Sequence, residues 1–274
     1  MRTRTESRAA VVAVTTAFVL ITAICIPFLI VGQDVPNAVV LAGRYVPALA
    51  SLVAVLVVLG RDQLARLWRL RPASARELFA SYGLALAVMV PALVVPALAG
   101  LLFGAQLKPA GVLLAALPMI VLGTVLFAFS TFGEEVLWRG QLQLALRRLG
   151  FWRSSVLIGG IWMLWHLPLH LTYLSVGALT ATEVAAATIG IAAWAPLLAA
   201  LVERRGAIWP AVFAHAVPLS SLQLLTEVSV QGAVPFWTVT GVGWAALLVA
   251  AVVVRRLPVR GQAASTVSQT SISR

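Results

Sequence analysis

The sequence predicts an all-α protein: a multi-pass transmembrane helical bundle of about eight spans, with both termini on the cytoplasmic side. Three observations predict it. Of 274 residues, 61% are hydrophobic and 11% charged, with a mean hydropathy of +0.99. An ordinary soluble domain is about 25% charged, so too few polar residues remain here to coat a water-facing surface. The apolar residues gather in runs at roughly 9–31, 38–60, 80–104, 111–132, 154–174, 184–202, 207–225 and 236–254. Each is near the ~20 residues that cross a hydrocarbon core of about 30 Å. Finally, the arginines fall on alternate connections between these runs.

Taken in chain order, the first run follows Arg2, Arg4 and Arg8, as a signal peptide would. It is too long for a signal core and no small-residue cleavage site follows it, so it reads as a retained span. The loop after the second run carries Arg61, Arg66, Arg69, Arg71 and Arg76, and the loop after the fourth carries Arg139, Arg147, Arg148 and Arg153. Arg204 and Arg205 follow the sixth run, and Arg255, Arg256, Arg260 and Arg274 follow the last. Eighteen of the 20 basic residues thus lie on one set of connections, leaving Lys108 on the other side and Arg44 inside the second run. Positive loops stay cytoplasmic, which fixes the orientation.

Two connections read as helices lying at the interface. Residues 61–79 place Leu64, Leu67, Trp68 and Leu70 among arginines, and residues 133–150 place Leu142, Leu146 and Leu149 on one side. In the third run, Pro91 and Pro96 predict a bend. Residues 1–260 read as a single membrane-embedded helical domain, and 261–274 as a disordered cytoplasmic tail. The net charge of +11 resides on arginines between apolar runs. It therefore speaks for membrane topology and against nucleic acid, with the lipid bilayer as first partner. Arg in place of Lys and the wealth of Ala, Val and Leu fit a GC-rich bacterial genome, hence a protein of the inner (cytoplasmic) membrane. Cys25 stands alone in an apolar run, which excludes a disulfide framework and a cysteine metal site.

Ionisable groups inside apolar runs are costly and point to function. Glu134 and Glu135 stand together at the end of the fourth run, in STFGEEVLWRG. Glu135 and Arg139 are four apart and share a helix face, whereas Glu134 is turned away by about 100°. One carboxylate is then held by a guanidinium, and the other is left for chemistry such as general-base work. The alternative is a salt-bridge cluster anchoring a helix end. All three histidines also lie in apolar runs: His166 and His170 in IWMLWHLPLH, and His215 in AVFAHAVPLS. His166 and His170 are spaced to share a face, but Pro168 between them argues against a regular helix, and hydrogen-bonded packing is the alternative role. His215 precedes Pro218, which frees a backbone carbonyl as cavity walls in membrane helices often do. Two imidazoles and a carboxylate could bind a metal or position a water.

These residues resemble the CPBP family of intramembrane proteases, which includes the type II CAAX prenyl endopeptidases and bacteriocin-immunity proteins. The first family motif, Glu-Glu-x-x-x-Arg, is matched by Glu134, Glu135 and Arg139. The second, an aromatic four residues before a His, is matched by Trp162 and His166, with Trp for the usual Phe. The third, His-x-x-x-Asn, is matched by His215 alone, because its fourth position is Leu219. The only asparagine is Asn37, and Ser220 and Gln223 are the nearest polar residues. The similarity spans roughly 110–225; the first spans carry no specific signal.

The resemblance implies peptide-bond hydrolysis near the cytoplasmic face of the membrane. Glu134 would activate the attacking water together with His166, Glu135 and Arg139 would order the site, and His215 would stabilise the oxyanion. Loss of one oxyanion donor costs about 10²–10³ in rate, so Leu219 implies a slow enzyme. The resemblance leaves open a metal-free mechanism or a divalent metal such as zinc on Glu134, His166 and His215. The expected substrate is a membrane-associated peptide or protein. A non-catalytic immunity or scaffold protein of the same fold is the alternative. A proton-coupled transporter ranks third, since the chain has no internal repeat and no paired broken spans.

Overall fold

With no water in a bilayer core to satisfy peptide groups, runs of Ala, Val and Leu close their hydrogen bonds within each segment and form helices. The computed structural model bears this out for residues 2–71, 74–221, 226–227 and 232–257, which it describes, apart from the side chains of 2–3, 116–117, 119, 220–221 and 226–227. The long helices are α1 (Arg2–Val31), α5 (Ala75–Leu102), α6 (Ala110–Glu135), α8 (Phe151–Ser175), α9 (Ala181–Arg205) and α11 (Ala233–Arg256). The second apolar run forms two helices, α2 (Asn37–Gly43) and α3 (Val46–Val58), broken at Arg44 and Tyr45. Shorter pieces are α4 (Leu64–Leu67), α7 (Gln143–Leu146) and α10 (Trp209–Ser221).

Seven helical stretches among the described residues are long and apolar enough to cross a membrane, with Asn37–Val58 counted as one. The eighth expected span corresponds to α10, whose 13 residues extend about 20 Å at 1.5 Å per residue. That is short of the hydrocarbon core, and the rest of the run, 222–225, lies outside the described residues. The tail 261–274 lies outside them as well.

Packing closes a ring in the order α1, α3, α6, α10, α5, α11, α9, α8 and back to α1. Within it runs a π-helical segment, Val136–Leu142, which continues α6 and touches α1, α3, α8 and α9. Leu137, Trp138 and Leu142 on this segment join Trp162, Trp165, Leu197, Leu198 and Leu201 in the main apolar core. Two-residue strands β1 (Gln106–Leu107) and β2 (Thr226–Glu227) pair antiparallel and tie the connection after α5 to the one after α10.

Several local expectations are corrected. Within 133–150, the part from Val136 to Leu142 does not lie at an interface, because every residue of it is buried in the bundle. Gly140 permits this. A Cβ there would stand 2.8 Å from the Leu67 carbonyl oxygen, so only glycine lets the α4 connection press on the π segment. Residues 61–79 do not form one amphipathic helix either. They make a 3-10 turn (Arg61–Gln63), the single turn α4, and then the start of α5, capped by a Ser74–Glu77 capping box. Pro168 does not interrupt α8; membrane helices tolerate such prolines when neighbouring groups satisfy the freed carbonyls. Glu6, which precedes the first apolar run, is a buried residue of α1 whose carboxylate lies 2.7 Å from Arg66 and 3.7 Å from Arg147.

Candidate active site

The C-terminal end of α6 is where the ionisable residues of the bundle converge. Glu134 and Glu135 are its last two residues, and both are fully buried. The turn that follows is π-helical, a rare geometry common at functional sites, and it carries Arg139 beneath the glutamates. Opposite them come Trp162 and His166 on α8, His215 on α10, and Arg44 at the α2–α3 break.

The two carboxylates have different partners. Glu135 Oε1 accepts from Arg139 Nη1 at 3.0 Å and pairs with His215 Nδ1 at 2.9 Å. A carboxylate oxygen already taking the arginine N–H acts as acceptor, so His215 Nδ1 carries the hydrogen and its Nε2 is left as the ring's acceptor. Glu134 Oε2 accepts from the Trp162 indole Nε1 at 2.8 Å and stands 3.8 Å from His166 Nε2. Its Oε1 lies 3.9 Å from Arg44 Nη1. His166 Nδ1 is 3.0 Å from the Trp162 carbonyl oxygen. A carbonyl only accepts, so Nδ1 holds the proton and the Nε2 lone pair faces Glu134.

Trp162 is the hub of this arrangement. Its indole N–H holds Glu134, the Arg139 guanidinium lies 4.0 Å from its ring centroid, and His166 and His215 meet it edge to face at 5.6 and 5.1 Å. A phenylalanine would supply the ring but not the donor. Exposure orders the site: the side chains of Arg44 and His166 are 19% and 17% exposed, against 2% for Glu134 and 0% for Glu135. The open side is therefore the one between Arg44 and His166.

The structure thus brings together all five residues expected from sequence: Glu134, Glu135, Arg139, His166 and His215. It leaves His170 outside the cluster, with Nδ1 on the Thr188 hydroxyl at 2.7 Å, a packing role. Leu219 is exposed and adds no polar group. The Ser220 side chain and Gln223 lie outside the described residues. Glu134 is not free, as spacing suggested, but takes the tryptophan N–H. Sequence reasoning placed Arg44 inside a span without giving it a role. An arginine within an apolar run was the available signal.

Among the described residues, no three His, Cys, Asp or Glu side chains are grouped to hold a metal ion. In the set allowed by the resemblance, Glu134, His166 and His215, the Glu134 oxygen that faces His166 already accepts the tryptophan N–H, while the His215 Nδ1 bond to Glu135 leaves Nε2 as the nitrogen a metal would take. As placed, the three are not grouped to hold a zinc ion.

Fold and site together define a multi-pass membrane protein with a buried Glu/Arg/His cluster beside a partly open face. Against known families, residues 115–218 match the model described as Type II CAAX prenyl endopeptidase Rce1-like, and this relates the chain to the CAAX protease family. The matched stretch is a little over a third of the chain and contains the Glu pair, Arg139 and both clustered histidines. No curated protein matches the chain.

Proposed function

We propose that this protein is an intramembrane endopeptidase that hydrolyses a peptide bond in a membrane-associated protein or peptide. The observation that carries the reading is the facing of Glu134 Oε2 and His166 Nε2, two acceptors 3.8 Å apart on the open side of a buried cluster. A water between them donates one hydrogen to each, which leaves an oxygen lone pair for the substrate carbonyl. The water oxygen bonds to the carbonyl carbon, its proton passes to Glu134, and the carbonyl π electrons move to oxygen. Collapse of the tetrahedral species reforms C=O and breaks C–N, and the leaving nitrogen takes the proton from Glu134. Trp162 fixes the Glu134 carboxylate, and Arg139 with Glu135 and His215 builds the wall behind it.

Charge supports the setting. The arginine-bearing connections face the cytoplasm by the positive-inside rule, which turns the C-terminal end of the span that holds the Glu pair toward the cytoplasm, in the cell's inner membrane with both termini inside. One observation favours a second reading, a non-catalytic immunity or scaffold protein of the same fold: Leu219 stands where the resemblance expects an amide donor. Glu134→Gln separates the two. A protease loses its biological effect with that change, while a binding protein of equal abundance keeps it.

A further inference from the structure

Resting on the protease reading, we infer that Arg44 is a catalytic residue, the donor that stabilises the oxyanion in place of the amide missing at Leu219. The site needs one. His215 gives its Nδ1 hydrogen to Glu135 and presents an acceptor on its other nitrogen, so as a neutral ring it cannot donate to an oxyanion. Leu219 contributes no donor. The Arg139 guanidinium is bonded to Glu135 and covered by the Trp162 ring, its side chain 1% exposed. Arg139 Nε and Nη2 also lack partners among the described residues, but Arg44 differs in exposure, its side chain 19% exposed against 1%. It carries a permanent charge, lies beside Glu134 on the open side, and its buried Nη1 has no hydrogen-bond partner among the described residues.

The backbone is built to hold it there. Arg44 and Tyr45 form the break between α2 and α3, and the Tyr45 hydroxyl donates to the Phe129 carbonyl on α6 at 2.6 Å. Gly133, directly before the glutamates, lets this break touch α6: a Cβ there would stand 2.5 Å from the Arg44 carbonyl oxygen. The Arg44 backbone is thus anchored against the residue that precedes the general base. Donors preorganised where charge develops act without reorganisation and are worth most in a site shielded from water.

The test uses full-length protein purified in detergent and added to membranes from cells that make Glu134→Gln, in which substrates remain uncut; new N-termini are quantified by mass spectrometry. Arg44→Ala should lower the initial rate of terminus formation about 10²–10³-fold, with half-saturation changed less than twofold, and guanidinium chloride should restore part of the rate. Arg44→Gln, which keeps most of the stem and an amide NH2 but not the charge, should fall at least tenfold. It decides the matter if Arg44→Ala does not fold. Wild-type rates in a folded Arg44 variant, or a loss confined to half-saturation and untouched by guanidinium, overturn the inference and leave the protease reading standing. Absence of Glu134-dependent termini with wild type overturns both.

Discussion

Gly133→Ala tests how the site is assembled. The added methyl would meet the Arg44 carbonyl oxygen at 2.5 Å and Tyr45 Cα at 2.9 Å, against an ordinary limit near 3.4 Å. Both obstacles are backbone, so the α2–α3 break must retreat by about 0.9 Å. Overpacking of this kind costs about 1–3 kcal/mol, and the contact with a carbonyl oxygen places it at the upper end. Replacing a helical glycine by alanine returns about 1 kcal/mol, which leaves a net loss of roughly 2 kcal/mol. For a chain of this size that lowers Tm by about 4–8 °C. The internal control is Gly160→Ala on α8, where a Cβ meets nothing within 4 Å and Tm should rise by about 2–4 °C. Thermal unfolding of the detergent-solubilised variants, followed by tryptophan fluorescence, reads both. Gly133→Ala should also slow cleavage, because the retreat carries Arg44 away from Glu134. A Gly133→Ala protein as stable as wild type, or one that gains as Gly160→Ala does, refutes the close approach on which the site depends.

Three further outcomes are expected. Arg139→Gln leaves Glu135 buried without its cation and should cost about 3–5 kcal/mol, seen as a Tm drop of roughly 10 °C or more. Tyr45→Phe removes only the bond to the Phe129 carbonyl and should cost about 1 kcal/mol, a shift of a few degrees in the same assay. Because Glu134, His166 and His215, though clustered, are not grouped to hold a metal ion, 1,10-phenanthroline should leave Glu134-dependent cleavage within twofold of the untreated rate. A loss restored by added zinc would show that the cluster rearranges around a metal.

How much was legible in the sequence follows from the range of each interaction. The Glu135–Arg139 pair could be read because both ends lie on one turn of chain, and the structure places them 3.0 Å apart. Polar residues stranded in apolar runs marked His166 and His215, since their cost inside a bilayer is a local property. The role of Arg44 could not be read, because it depends on a helix break meeting Gly133 some 90 residues away. The segment 136–143, within the stretch expected at an interface, was misread for the same reason. Its leucines are spaced as on an interfacial helix, but its polar groups find buried partners on other elements. Gln141 accepts from Ser51 at 2.6 Å, and Gln143 donates to the Ala199 carbonyl at 3.3 Å. Composition gave the membrane bundle at once, whereas the shortness of α10 is a matter of where one helix ends.

The most direct measurement of the central claim is a comparative survey of protein N-termini in membranes from cells expressing wild type or Glu134→Gln at equal abundance. The account predicts a small set of termini present with wild type and absent with the variant, each mapping near the cytoplasmic end of a membrane segment. Identical sets from two folded proteins would contradict it and leave the Glu134 cluster as the core of a binding protein.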